Sequence, residues 1–171
     1  MGAYAPMLGI VKPRSWQTPA AMPTTQQIAR TIASECACLR LRGAARSLTR
    51  DYDAELRAAG IKLSQLSVLV AVAMFGERGA AMKPLAEAIA MDRTTLTRNL
   101  RPLIDADWLR LSKSETDGRS RTVTLTQGGA ELLERAFPLW KRAQISARKR
   151  LGPEHFTALA AELDHLQRPQ R

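Results

Sequence analysis

Two short helical patterns, residues 84–90 and 93–106, are separated by Met91 and Asp92 alone. Helices joined so tightly have to cross steeply, and that spacing is the signature of a helix-turn-helix. Pro84 suits the first turn of its helix, where a missing N–H costs nothing. Asp92 is predicted to cap the second helix by accepting a bond from an early backbone N–H. Within that helix Leu96, Leu100, Leu103 and Ile104 recur at helical spacing and are predicted to face a core. The other side carries Thr94, Thr97, Arg98 and Arg101 at i, i+3, i+4 and i+7, with no acidic residue among them. Most such stripes are solvated faces, yet this combination also suits the DNA major groove. There arginine pairs with guanine, and threonine touches a thymine methyl or a phosphate. Pro102 cannot donate to the Arg98 carbonyl, so a bend is predicted there.

Around this unit the chain is orderly. Residues 1–23 hold four prolines, no acidic residue and no periodicity, and read as a disordered N-terminal extension. From Thr24, the positions Ile28, Ile32, Leu41, Ala45, Leu48, Tyr52 and Leu56 predict one amphipathic helix, weakened at Gly43. After a turn at Ala59-Gly60, Ser64 is the expected N-cap of an apolar helix over 66–75, buried on most sides and stopped by 76–79. Residues 108–112 and 121–125 alternate and are rich in β-favouring types, with a polar, glycine-containing stretch between them, so they predict a hairpin. Residues 127–151 and 153–167 predict two helices parted by Gly152-Pro153, with a kink expected at Pro138. The fold class is therefore mostly α (α+β): a winged helix-turn-helix with flanking helices. One domain is expected over 24–171, in which 63–126 form the winged helix and 24–62 with 127–171 form dimerisation helices.

Composition narrows the function. Lysine and arginine number 26 against 16 acidic residues, a formal net charge of +10, which favours a polyanionic partner. The most apolar run, 66–75, is half of what a membrane span of about 20 residues needs, and the N-terminus has no signal-peptide character. No membrane partner is expected, the location is expected to be cytoplasmic, and the two cysteines are expected to be thiols. An enzyme finds no support: there is no glycine-rich phosphate loop, no histidine near a plausible nucleophile and no purposeful carboxylate cluster. Metal binding is weak because His155 and His165 lie far from Cys36 and Cys38, and no cofactor is expected.

The stretch LAEAIAMDRTTLTRNLRPL, the tip DGRSR and the following VTLTQGG together resemble the MarR family of regulators over roughly residues 34–166. The resemblance implies a homodimer on a pseudo-palindromic operator of double-stranded DNA, expected to be a repressor. Its reading helix would present Arg93, Thr94, Thr95, Thr97, Arg98 and Arg101. Its wing would present Lys113, Asp117, Arg119 and Arg121, with Asp117-x-Arg119 matching the family's minor-groove element. Such an arginine is drawn to the concentrated negative potential of a narrow groove. An architectural or protein-binding winged helix is the alternative.

Two switches are open. A small organic anion could pair with Arg42, Arg46 and Arg50, in the cleft where the resemblance places an effector. Cys38, eleven residues before Thr49, also invites comparison with the reactive cysteine of the peroxide-sensing, OhrR-like branch. Arg42 one turn away would favour its thiolate. Of that branch's tyrosines only Tyr52 matches, with Arg42 and Leu63 in the other places. Cys36 and Cys38, two residues apart on a regular helix, would point to nearly opposite sides and could not easily bond to each other.

Overall fold

A computed structural model describes residues 22–113 and 121–167. Most of the expected N-terminal extension and the tip of the hairpin, with Asp117 and Arg119, lie outside these residues. Residues up to 41 and residues from 42 onward form two compact units.

In the first unit, α1 (Thr25–Glu35) opens with a reciprocal cap: the Gln27 N–H donates to Thr24 Oγ1 at 3.2 Å, and the Thr24 N–H donates to Gln27 Oε1 at 2.7 Å. The single long helix predicted from Thr24 is corrected here. Cys36 adopts an extended backbone (φ −68°, ψ 108°) and separates α1 from α2 (Ala37–Leu56). A break of this kind strips the Ser34 carbonyl of its helical donor, and the Arg40 guanidinium fills the gap with an Nε donation at 3.0 Å. The weak point is thus Cys36 rather than Gly43, which α2 carries without interruption.

The second unit is built around α3 (Leu63–Met74). Its N-cap also differs from expectation. The helix begins one residue before Ser64, and the Leu63 N–H donates to Asp53 Oδ1 of α2 at 2.6 Å, so a tertiary carboxylate does the work assigned to a local hydroxyl. Leu66, Val68, Leu69, Ala71 and Val72 are buried, but Val70 and Met74 are exposed, Met74 by 83%. The helix is therefore buried on most sides, as expected, with one side open at Val70 and Met74.

After Gly79, strand β1 (Ala80–Ala81) leads into α4 (Met82–Ala88), then α5 (Arg93–Asp105), β2 (Leu109–Lys113) and β3 (Arg121–Leu125). The sheet is antiparallel with order β1-β3-β2, and its hairpin register runs from Leu109 opposite Leu125 to Lys113 opposite Arg121. A two-residue strand leaves no periodic trace, so β1 is invisible to the pattern of the sequence. It is admitted by Gly79, whose φ is +69° and where a Cβ would lie 2.5 Å from the Val123 carbonyl.

The turn into α5 has a Schellman pattern: the Met91 N–H donates to the Ala86 carbonyl at 2.9 Å, and Ala90 takes a left-handed φ of 49°. Leu85, Leu96, Leu100, Leu103, Leu109 and Val123 close on α3 to make the core, with Ile104 half-buried. Burial of each such side chain contributes about 1.5–3 kcal/mol, and this is what holds the two short helices in place.

Finally α6 (Gln127–Leu151) and α7 (Pro153–Gln167) have the predicted bounds, and α6 remains helical through Pro138. Thr126 caps α6 by accepting from the Gly129 N–H at 3.0 Å while donating to the Asp107 carbonyl at 2.6 Å. Arg142–Glu55 and Arg150–Asp51, each at 2.9 Å, tie α6 to α2. Neither α1 nor α7 buries any residue, although Ile28, Ile32, Leu159 and Leu166 are exposed apolar side chains on them.

Candidate nucleic-acid interface

The two periods of α5 separate in space as the spacing requires. Leu96, Leu100 and Leu103 face α3, while Arg93, Thr94, Thr95, Thr97, Arg98 and Arg101 are all exposed. Asp92 caps the helix: its Oδ1 accepts from the Thr95 N–H at 2.9 Å and its Oδ2 from the Thr95 hydroxyl at 2.6 Å. Thr95 therefore spends its hydroxyl proton on the cap. Thr97 donates to the Arg93 carbonyl at 2.8 Å, which leaves the methyl group and oxygen lone pairs for contact. Arg101 has an ion pair to Asp105 at 3.5 Å, so an acidic residue stands one turn beyond the cationic stripe.

The bonds from the Thr95 side chain and backbone hold the Asp92 carboxyl below its usual range. A group whose folded-state pKa is lowered adds stability above its unfolded pKa and loses it as pH falls through the folded value. Asp92→Ala is expected to lower the thermal midpoint near neutral pH, the deficit shrinking below about pH 4, the ordinary aspartate range. A deficit independent of pH would show that the carboxylate charge does not contribute to the cap.

Beside α5 lies a cleft of about 1060 Å³ between α4, α5 and the hairpin, into which Lys83, Arg93, Thr97, Arg101 and Arg121 project. Thr94 and Arg98 are on the helix but are not among the residues lining it. Lys113 and Arg121, opposite each other in the register, are exposed at the start of the wing. Lys83 is the member that sequence reasoning misses: on α4, four residues before Glu87, it reads as an ordinary surface ion pair.

A second cleft of about 530 Å³ runs between α3, α4 and α6. Leu66, Val70, Met74, Leu133, Phe137 and Trp140 line it, with Ser67 as its polar side chain and no charged residue. The Phe137 and Trp140 rings are stacked at 6.0 Å, and the Lys141 ammonium lies 4.9 Å from the Phe137 ring centre. Arg42, Arg46 and Arg50 are exposed on α2 and do not line this cleft.

Cys38 is exposed and Cys36 partly so, and both are free thiols. The Tyr52 hydroxyl donates to Gln144 Oε1 of α6, and partial burial pushes the phenol up. Among the described residues no group of histidine, cysteine and carboxylate side chains is placed to hold a metal ion. None of the described helices is alone long and apolar enough to cross a membrane.

The model of the MarR family matches residues 59–120, the span that holds α3, the helix-turn-helix and strand β2 of the hairpin. Among solved structures, the M. tuberculosis transcriptional regulator MosR in complex with DNA is 32% identical over 78% of this chain and 94% of that one, with a TM-score of 0.68. The transcriptional repressor CouR bound to a 23-mer DNA duplex is 23% identical over 80% of this chain and 96% of that one, with a TM-score of 0.72. NadR in complex with 4-hydroxyphenylacetate is 23% identical over 77% of this chain and 92% of that one, with a TM-score of 0.62. No curated protein matches the chain.

Proposed function

This chain belongs to the MarR family of DNA-binding transcription regulators, and from that premise we propose that it is a cytoplasmic, homodimeric repressor without catalytic activity. The observation that carries the reading is α5: a capped helix whose core face is buried and whose exposed face holds Arg93, Thr94, Thr97, Arg98 and Arg101 beside a cleft where four cations outnumber two carboxylates, Glu87 and Asp105. Arg98 and the threonines would meet base edges. Lys83, Lys113 and Arg121 would meet phosphates, with Arg119, flanked by Asp117, reaching the minor groove.

One reading helix covers too few base pairs for useful specificity, so two copies on a pseudo-palindrome are needed. The unburied apolar side chains of α1 and α7 support a second copy as their cover.

For the release step, the 530 Å³ cleft supports an aromatic effector stacked against Phe137 and Trp140. The carboxylate of an organic anion would project from this uncharged lining toward solvent, and a pairing with Arg42, Arg46 or Arg50 would take place outside the cleft, which they do not line. Thiol oxidation is the second reading, and the extended backbone at Cys36 favours it. The two cysteines are not locked on one regular helix. A hydroperoxide could oxidise the two thiols to a Cys36–Cys38 disulfide, leaving an alcohol and water.

Selection of bound duplexes from random DNA tests the whole reading. The expected product is a pseudo-palindrome held ~10³-fold or more tighter than bulk DNA, by a species of dimeric mass in sedimentation. An architectural binder would enrich no sequence, and a protein-interaction module would retain no DNA. Repeating the binding with aromatic carboxylates and with hydroperoxide separates the switches, because Cys38→Ser abolishes only the peroxide response.

A further inference from the structure

Asp105 sits where stability gives no reason for a carboxylate. It is the last residue of α5, at the negative end of the helix dipole, which disfavours an anion. Its partner Arg101 precedes it, the weaker order for an i, i+4 pair. Both side chains are exposed, by 83% for Arg101 and 63% for Asp105, so their attraction is largely screened. A local rule broken in this way points to a functional role, and the pair lines the cationic cleft beside the reading helix.

The geometry of the contact shows what that role is. Asp105 Oδ2 lies 3.5 Å from Arg101 Nε, the inner nitrogen of the guanidinium. Both terminal nitrogens remain available as a fork for a guanine edge or a phosphate. We infer that Asp105 is a positioning residue: it holds Arg101 extended from α5 before DNA arrives, and it opposes phosphates that approach out of register. Ordering the side chain in advance lowers the entropic cost of the correct contact. The carboxylate meanwhile weakens the purely electrostatic attraction that dominates binding to bulk DNA. This role rests on the DNA-reading function proposed above.

Asp105→Asn is to be compared with the unmodified chain on a selected operator and on a scrambled duplex, across a salt series. Glu162→Gln, an exposed position on α7, supplies the same change of net charge. The expected result is a roughly three- to tenfold loss on the operator with a roughly twofold gain on the scrambled duplex, and no fall in thermal midpoint. In an Arg101→Ala background the same substitution should cost the operator nothing further. Glu162→Gln should tighten both duplexes slightly. If Asp105→Asn also tightens both, Asp105 is only a charge and the positioning role is overturned. If the unmodified chain binds operator and scrambled DNA alike, the reading function itself fails, and the role falls with it.

Discussion

Gly129→Ala is expected to destabilise the fold by at least ~3 kcal/mol, a large share of the ~5–15 kcal/mol that holds a domain together. Gly129 is buried in the first turn of α6, where a Cβ would stand 2.1 Å from the Trp108 carbonyl oxygen and 2.8 Å from Leu125 Cδ1. The oxygen is not free to retreat, because it accepts from the Thr126 N–H at 3.2 Å, and Thr126 is the cap of the same helix. Relief therefore requires α6 to lift off the base of the hairpin. Gly43→Ala makes the opposite control: a Cβ there meets nothing within 4 Å, so the gain in helix propensity should stabilise α2 by about 0.5–1 kcal/mol. Urea melts of both variants check this. An unchanged midpoint for Gly129→Ala would mean that α6 does not approach the hairpin as described.

Arg98→Ala is expected to weaken operator binding by ~1–3 kcal/mol for each half-site, and so by ~2–6 kcal/mol for a dimer that uses both. The fold should be untouched, since Arg98 is exposed and makes no hydrogen bond or ion pair among the described residues. The salt series tells which group it meets. If Arg98 grips a phosphate, its removal lowers the slope of log K against log salt by about one for each phosphate no longer neutralised. If it meets a base, the slope stays and the preference relaxes at one operator position. Equal operator affinity for the variant and the parent would remove α5 from the mechanism.

How far each element is legible follows from the range of the forces that make it. The bounds of α6 and α7 and the Asp92 cap depend on neighbours within a few residues. Periodicity and capping chemistry reveal those directly. The cap of α3 escapes such a reading because its acceptor, Asp53, is ten residues distant in sequence and lies on another helix. The break at Cys36 escapes it for a related reason: the apolar spacing from Ile28 to Leu56 continues across it, and the compensating donor is a long side chain, Arg40. In the candidate site, the hydroxyl-and-guanidinium stripe is readable because one helix carries it. Lys83 is not, because it joins the cleft only through the packing of α4 against α5. Nor is the pairing of Arg101 with Asp105, which lies just past the end of the stripe.

Local order along the chain, then, determines the helix-turn-helix and which face of α5 is buried and which is left to solvent, because amphipathic periodicity and short-range hydrogen bonds are encoded residue by residue. Tertiary structure alone decides where backbone passes close to backbone, at Gly79 and Gly129. It likewise decides which apolar side chains stay uncovered along α3 and α6 to form an aromatic cleft, and which cations share a groove. Those features are sums over segments far apart in sequence, and a pattern of residue types along the chain carries no information about the distance between two of them.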